Sequence, residues 1–97
     1  MIIYEKENNG FSSLLNFINT KYDEKKIFDL KFNLIYDNCE IIAKYDTMYE
    51  TDNGLYDEEG YEEYNAIAFL NIDTNELFEV NYTNLPHSII CENIKII

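Results

Sequence analysis

The feature that most constrains the fold is a change of hydrophobic period partway along the chain. Phe11, Leu14, Leu15, Ile18 and Tyr22 recur at helical spacing and lay one apolar stripe along a helix. From Phe28 the period drops to two: Phe28, Leu30, Phe32, Leu34 and Tyr36 fall on one side, and Asp29, Lys31 and Asn33 on the other. That is the pattern of a half-buried strand. Asn9 or Ser12 can cap the helix, and Tyr22-Asp23-Glu24 with two lysines behind it marks the way out. The earlier Ile2-Ile3-Tyr4 reads as a short strand or a hydrophobic staple.

Asp37-Asn38 reads as a two-residue turn, since both residue types tolerate the positive φ that a type I′ hairpin requires. Pairing Tyr36 with Cys39 across it sets Leu34 opposite Ile41, Phe32 opposite Ala43 and Leu30 opposite Tyr45. A one-residue slip would turn this apolar set outward, so the register is strongly specified. A second hairpin is expected from Tyr64–Ile72 and Glu76–Tyr82, joined by Asp73-Thr74-Asn75. In that register Ala66, Ala68 and Leu70 oppose Tyr82, Val80 and Phe78, and the alanines mark where the helix packs on the sheet. After Asn84-Leu85-Pro86, the apolar stretch through Ile89-Ile90-Cys91 and Ile94 to Ile97 reads as one fifth strand. The expected fold is therefore α+β, with one N-terminal helix packed on a mainly antiparallel sheet of four to five strands built from two hairpins. Ninety-seven residues suit a single domain, 1–97, with one core.

Charge narrows the function. The chain carries 19 acidic residues against seven basic ones, all lysine, for a net charge of −12. Residues 1–45 hold seven acids and six lysines, and residues 46–97 hold twelve acids and one lysine, so the halves stand at −1 and −11. Without arginine the chain lacks the best phosphate-binding side chain, which argues against direct nucleic-acid binding and favours a basic protein surface as partner. Two cysteines, Cys39 and Cys91, do not make the disulfide framework of a secreted domain, and the first residues do not read as a signal peptide. No apolar run is long enough to span a bilayer, so no membrane partner is expected. The richness in Asn, Ile, Lys and Tyr is that of an AT-rich genome, and the expected location is the cytoplasm of a bacterial host cell.

One segment stands apart. Asp46 to Glu63 holds eight carboxylates, with Tyr49, Tyr56 and Tyr61 interleaved and Tyr64 following, and it contains no lysine. Its plain reading is a long solvated connection between hairpins, because runs of like charge are usually just that. Its functional reading is a binding surface for a basic partner, formed by Asp46, Tyr49, Glu50, Asp52, Tyr56, Asp57, Glu58, Glu59, Tyr61, Glu62 and Glu63. Tyrosine favours that reading, since it adds amphipathic contact area at low entropic cost. A calcium loop fails on spacing: with Gly54 or Gly60 at the sixth position, the first ligand would be Tyr49 or Leu55. No metal and no cofactor are expected.

Catalytic patterns are missing. His87 and Cys91 could pair as base and thiolate, yet Cys91 sits among Ile89, Ile90 and Glu92 and reads as a structural thiol. Glu58 and Glu62 could supply paired carboxylates but have little cleft to work in. There is no glycine-rich phosphate loop, and an enzyme is not expected.

In size, charge and the stretch from Asp46 to Glu63, the chain resembles the small acidic phage proteins that disable bacterial defence, anti-CRISPR inhibitors among them. Carboxylates would stand there for phosphates and tyrosine rings for bases. The resemblance implies a non-enzymatic inhibitor that occupies a basic, nucleic-acid-handling surface as a DNA mimic. The alternative is a bacterial protein-interaction or immunity-type domain that meets its partner through its sheet face, with no mimicry.

Overall fold

The computed structural model describes residues 10–24 and 26–97. Ile2-Ile3-Tyr4 and the candidate cap Asn9 lie outside these. Helix α1 runs Phe11–Asp23 and buries Phe11, Leu14 and Ile18, the centre of the expected stripe, while Tyr22 at its margin is exposed. Ser12 lies inside the helix. The N-cap is Gly10, in the left-handed region at φ 82° with no side-chain cap.

The strand expected from Phe28 begins later. Ile27–Asp29 is a 3₁₀ turn that buries Ile27 and leaves Phe28 exposed, where its ring leans on Tyr22 and Tyr45. Alternation alone could not separate one turn of 3₁₀ helix from two residues of strand. The strands are β1 (Phe32–Ile35), β2 (Glu40–Asp52), β3 (Glu63–Asn71), β4 (Glu76–Val80), β5 (Ser88–Cys91) and β6 (Ile94–Lys95). They form one six-stranded antiparallel sheet in the order β4-β3-β2-β1-β5-β6.

The first hairpin keeps its expected register, with Leu34 opposite Ile41 and Phe32 opposite Ala43, and the Tyr36 N–H donates to the Cys39 carbonyl at 2.8 Å. Leu30 does not pair with Tyr45, because Leu30 ends the 3₁₀ turn and Tyr45 pairs with Phe69. Asp37 and Asn38 do not adopt positive φ. The turn with two positive-φ residues is Glu92-Asn93, at 52° and 66°, and it folds the tail into a β5–β6 hairpin where one strand was expected.

The β3–β4 register differs from expectation by one residue. Val80 faces Ile67 and Phe78 faces Phe69, so Ile67 and Phe69 enter the core, while Ala66, Ala68 and Leu70 point to the other face. The cause is the loop, which has four residues rather than three. Asn71 pairs with Glu76, its side-chain oxygen accepts the N–H groups of Asp73 and Thr74, and Asn75 takes φ 62°. One extra loop residue reverses every side chain of one strand relative to the other.

The core lies between α1 and one face of the sheet. Phe32 sits at its centre, with the rings of Phe17 and Phe69 edge-on at 5.9 and 5.3 Å.

Candidate functional site

β2 and β3 are the two longest strands, and they run past their neighbours. β1 covers β2 only at Glu40–Ala43, and β4 covers β3 only at Ile67–Asn71. Beyond these, Tyr49–Asp52 and Glu63–Ala66 have, among the described residues, no strand partner but each other. The segment expected to be a connection is therefore half ladder: a two-stranded arm, Tyr49–Asp52 with Glu63–Ala66, that follows a bulge between Tyr45 and Thr47, where Asp46 is left out of the pairing.

Alternation divides the arm's side chains. Met48, Glu50 and Asp52 share a face with Ile67, Asn65 and Glu63, while Tyr49 and Thr51 share the opposite face with Ala66 and Tyr64. Two tyrosines of the arm, and one that packs beside it, are tied to carboxylates. Tyr49 donates its hydroxyl to Glu79 at 2.5 Å, Tyr61 donates to Glu63 at 3.1 Å, and Tyr82, whose ring meets Tyr64 edge-on, donates to Glu62 at 2.7 Å. The bond to Glu79, reinforced by partial burial and the nearby charge, pushes the Tyr49 phenol up to about 12. Partial burial and the bond to Glu63 do the same for Tyr61, also to about 12. Both remain neutral donors, as a ring packed among carboxylates must.

The tip, residues 53–62, is held by Asn53. Its amide donates to the Gly60 carbonyl at 2.8 Å, its side-chain oxygen accepts the N–H groups of Leu55 and Glu62, and its backbone N–H donates to the Glu62 carbonyl at 3.1 Å. Gly54, Asp57 and Gly60 turn the chain at positive φ. Tyr56, 71% exposed, stands edge-on to Tyr61 at 5.7 Å, and Asp57, Glu58 and Glu59, which follow it in the chain, are exposed.

All eleven residues singled out in the sequence thus lie on one arm. They do not form one patch: Tyr49 looks away from Glu50, Asp52 and Glu63, and Asp46 sits at the arm's base. Residues the sequence reading missed are the supports, namely Asn53, Glu79 and Tyr82. Asn53-Gly54 carries a local turn signal that could have revealed the first. Nothing local could have revealed Glu79, which meets Tyr49 from 30 residues away. Among the described residues both ion pairs belong to Lys21, with Glu24 and Glu92, and neither touches the arm.

The other chemistry considered finds no geometry. Among the described residues, no group of three or more His, Cys, Asp or Glu side chains could hold a metal ion. Cys91 is buried in the core, and burial with Glu92 nearby pushes its thiol up to about 11, so it is a neutral core residue and not a thiolate. No helix among the described residues is long and apolar enough to cross a membrane.

Fold and arm together define a small α+β domain that holds an acidic hairpin clear of its core. The family model described as "Cognate immunity protein YxxD" matches residues 10–92, and the chain belongs to that family. No curated protein and no solved structure matches it. Membership overturns the resemblance to phage anti-defence proteins, and with it the anti-CRISPR and DNA-mimic readings. Size and net charge are shared by unrelated acidic proteins. The interleaved tyrosines suggested bases on a strand of phosphates, yet three of them spend their hydroxyls or faces on other side chains of the chain itself. The alternative of an immunity-type domain accords with the family.

Proposed function

We propose that this chain is a non-enzymatic immunity protein that protects by binding the toxin of its own pair, and that the β2–β3 arm meets a basic surface on that toxin. Family membership supports the first half. The second half rests on one observation: the arm holds its carboxylates on a hydrogen-bonded scaffold, and among the described residues no ion pair with a lysine neutralises them. Fixed charges of one sign attract a partner of the other sign, speed the encounter and select the register.

The test is protection of cells that express the neighbouring toxin gene, with binding measured in parallel. Glu50, Asp57, Glu58 and Glu59 make no side-chain hydrogen bond described above, so replacing them with amides leaves the scaffold intact. That variant should bind at least ~10-fold more weakly, because losing several fixed charges facing a basic surface costs on the order of 1–2 kcal/mol. Its melting temperature should barely move, since exposed charges contribute little to stability. Full protection by the amide variant would remove the arm from the reading. A second reading then takes over, favoured by the half-buried row of Ile35, Ile42, Leu70 and Ile90 on the sheet face turned away from α1. In that case Leu70→Lys should abolish protection.

A further inference from the structure

Among the described residues, β4 forms one edge of the sheet. Antiparallel pairing alternates residues whose peptide groups face the partner with residues whose groups face away. Asn71–Glu76 closes the loop, so Phe78 and Val80 bond to β3, and the peptide groups of Leu77 and Glu79 turn to the open edge. Such groups are a template for another strand.

The edge is not left open along its length. After β4 the chain makes a tight turn, Asn81–Asn84, closed by the Asn84 N–H on the Asn81 carbonyl at 3.3 Å. The turn is locked by Asn81, which is 6% exposed: its side-chain oxygen accepts the Thr83 N–H and hydroxyl, and its amide donates to the Glu79 carboxylate at 2.7 Å. This folds Asn84 back on the edge. The Asn84 amide NH₂ donates to the Glu79 carbonyl at 2.9 Å, and its oxygen accepts the Asn81 N–H at 2.7 Å. One side-chain amide thus takes an outward carbonyl and the outward N–H two residues on, the same pair that one residue of a neighbouring parallel strand would take.

We propose that Asn84 guards this edge, and that the strand it excludes is β4 of a second copy of the chain. The outward groups are self-complementary. In an antiparallel pairing centred on Phe78, Leu77 would exchange both hydrogen bonds with Glu79 of the other copy, and Glu76 would lie opposite Val80. No two like charges would oppose each other. The exposed Leu77, at 60%, would be covered. Two of the four bonds require the Glu79 carbonyls, and these are the groups that Asn84 occupies. The guard works by substitution: it satisfies the acceptor without offering a further edge.

The experiment is light scattering behind gel filtration over a concentration series at physiological salt. The wild-type chain should elute at its monomer mass of 11.5 kDa throughout. Asn84→Ala should double that mass and tighten self-association at least ~10-fold, since two more hydrogen bonds become available. Adding Leu77→Pro, which deletes an outward N–H and leaves the β3 ladder intact, should restore the monomer. Should Asn84→Ala fail to fold, Asn84→Asp keeps the acceptor for the Asn81 N–H and frees only the Glu79 carbonyl, so it should dimerise as well. The proposal is overturned if a folded Asn84 variant stays monomeric at the highest concentration. It is equally overturned if the wild type already forms a dimer that Leu77→Pro dissolves.

Discussion

Gly10 carries two requirements at one Cα. Its φ of 82° lies in the left-handed region, and a Cβ built there would meet Ile97 Cγ2 at 2.6 Å. Gly10→Ala should therefore lower stability by ~2–3 kcal/mol, combining left-handed strain of roughly 1–2 kcal/mol with displacement of the C-terminal residue. Gly54 has the same φ with open space around it, so Gly54→Ala should cost only the strain, ~1 kcal/mol. Urea titration of both variants separates the two effects, and equal losses would show that the Ile97 contact is immaterial. Asparagine works at this scale too. Asn53, Asn71, Asn81 and Asn84 each bond backbone groups across a turn through the side-chain amide. In the sequence their abundance reads as genome composition, because an asparagine's usefulness depends on which backbone groups come within reach of it.

Among the elements, the turns decided what the strands could not. The β5–β6 turn places Glu92 at φ 52°, a conformation that costs a non-glycine residue energy. Glu92→Gly should therefore raise stability by ~0.5–1 kcal/mol. The lost ion pair with Lys21 is a 3.7 Å surface contact and offsets little of the gain. Asp37→Gly should give no such gain, since Asp37 is not at positive φ. A thermal melt of each checks the assignment; the reverse order would place the type I′ turn where the sequence reading had it. The alternation in Phe32–Ile35 and Glu40–Tyr45 was legible because one face is apolar at each rung. In β3 both alternate rows are apolar, Ala66-Ala68-Leu70 and Ile67-Phe69, so pattern alone could not choose between them.

At the scale of the whole molecule, charge should act with opposite sign on folding and on binding. The half from Asp46 onward stands at −11, and among the described residues its one ion pair is that of Glu92 with Lys21. Self-repulsion should therefore destabilise the folded chain at low salt, and the melting temperature should rise from ~10 mM to ~300 mM salt as the Debye length falls from about 30 Å to below 10 Å. Affinity for the basic partner should fall over the same range. A melting temperature that fell with salt would mean that attractive pairs dominate. By itself, the sequence determined the class of fold, the helix, the first hairpin and the separation of an acidic segment from the core, because each follows from local spacing and from the free energy of burying one apolar face. Tertiary structure alone decided that the acidic segment is an arm, that its Tyr49 and Tyr61 are pinned by Glu79 and Glu63, that β3 buries Ile67 and Phe69, and that Asn84 bonds the Glu79 carbonyl on β4. Most of these depend on groups many residues apart, or on a single residue of loop length. Hydrophobic period is blind to both, and a hydrogen bond is not.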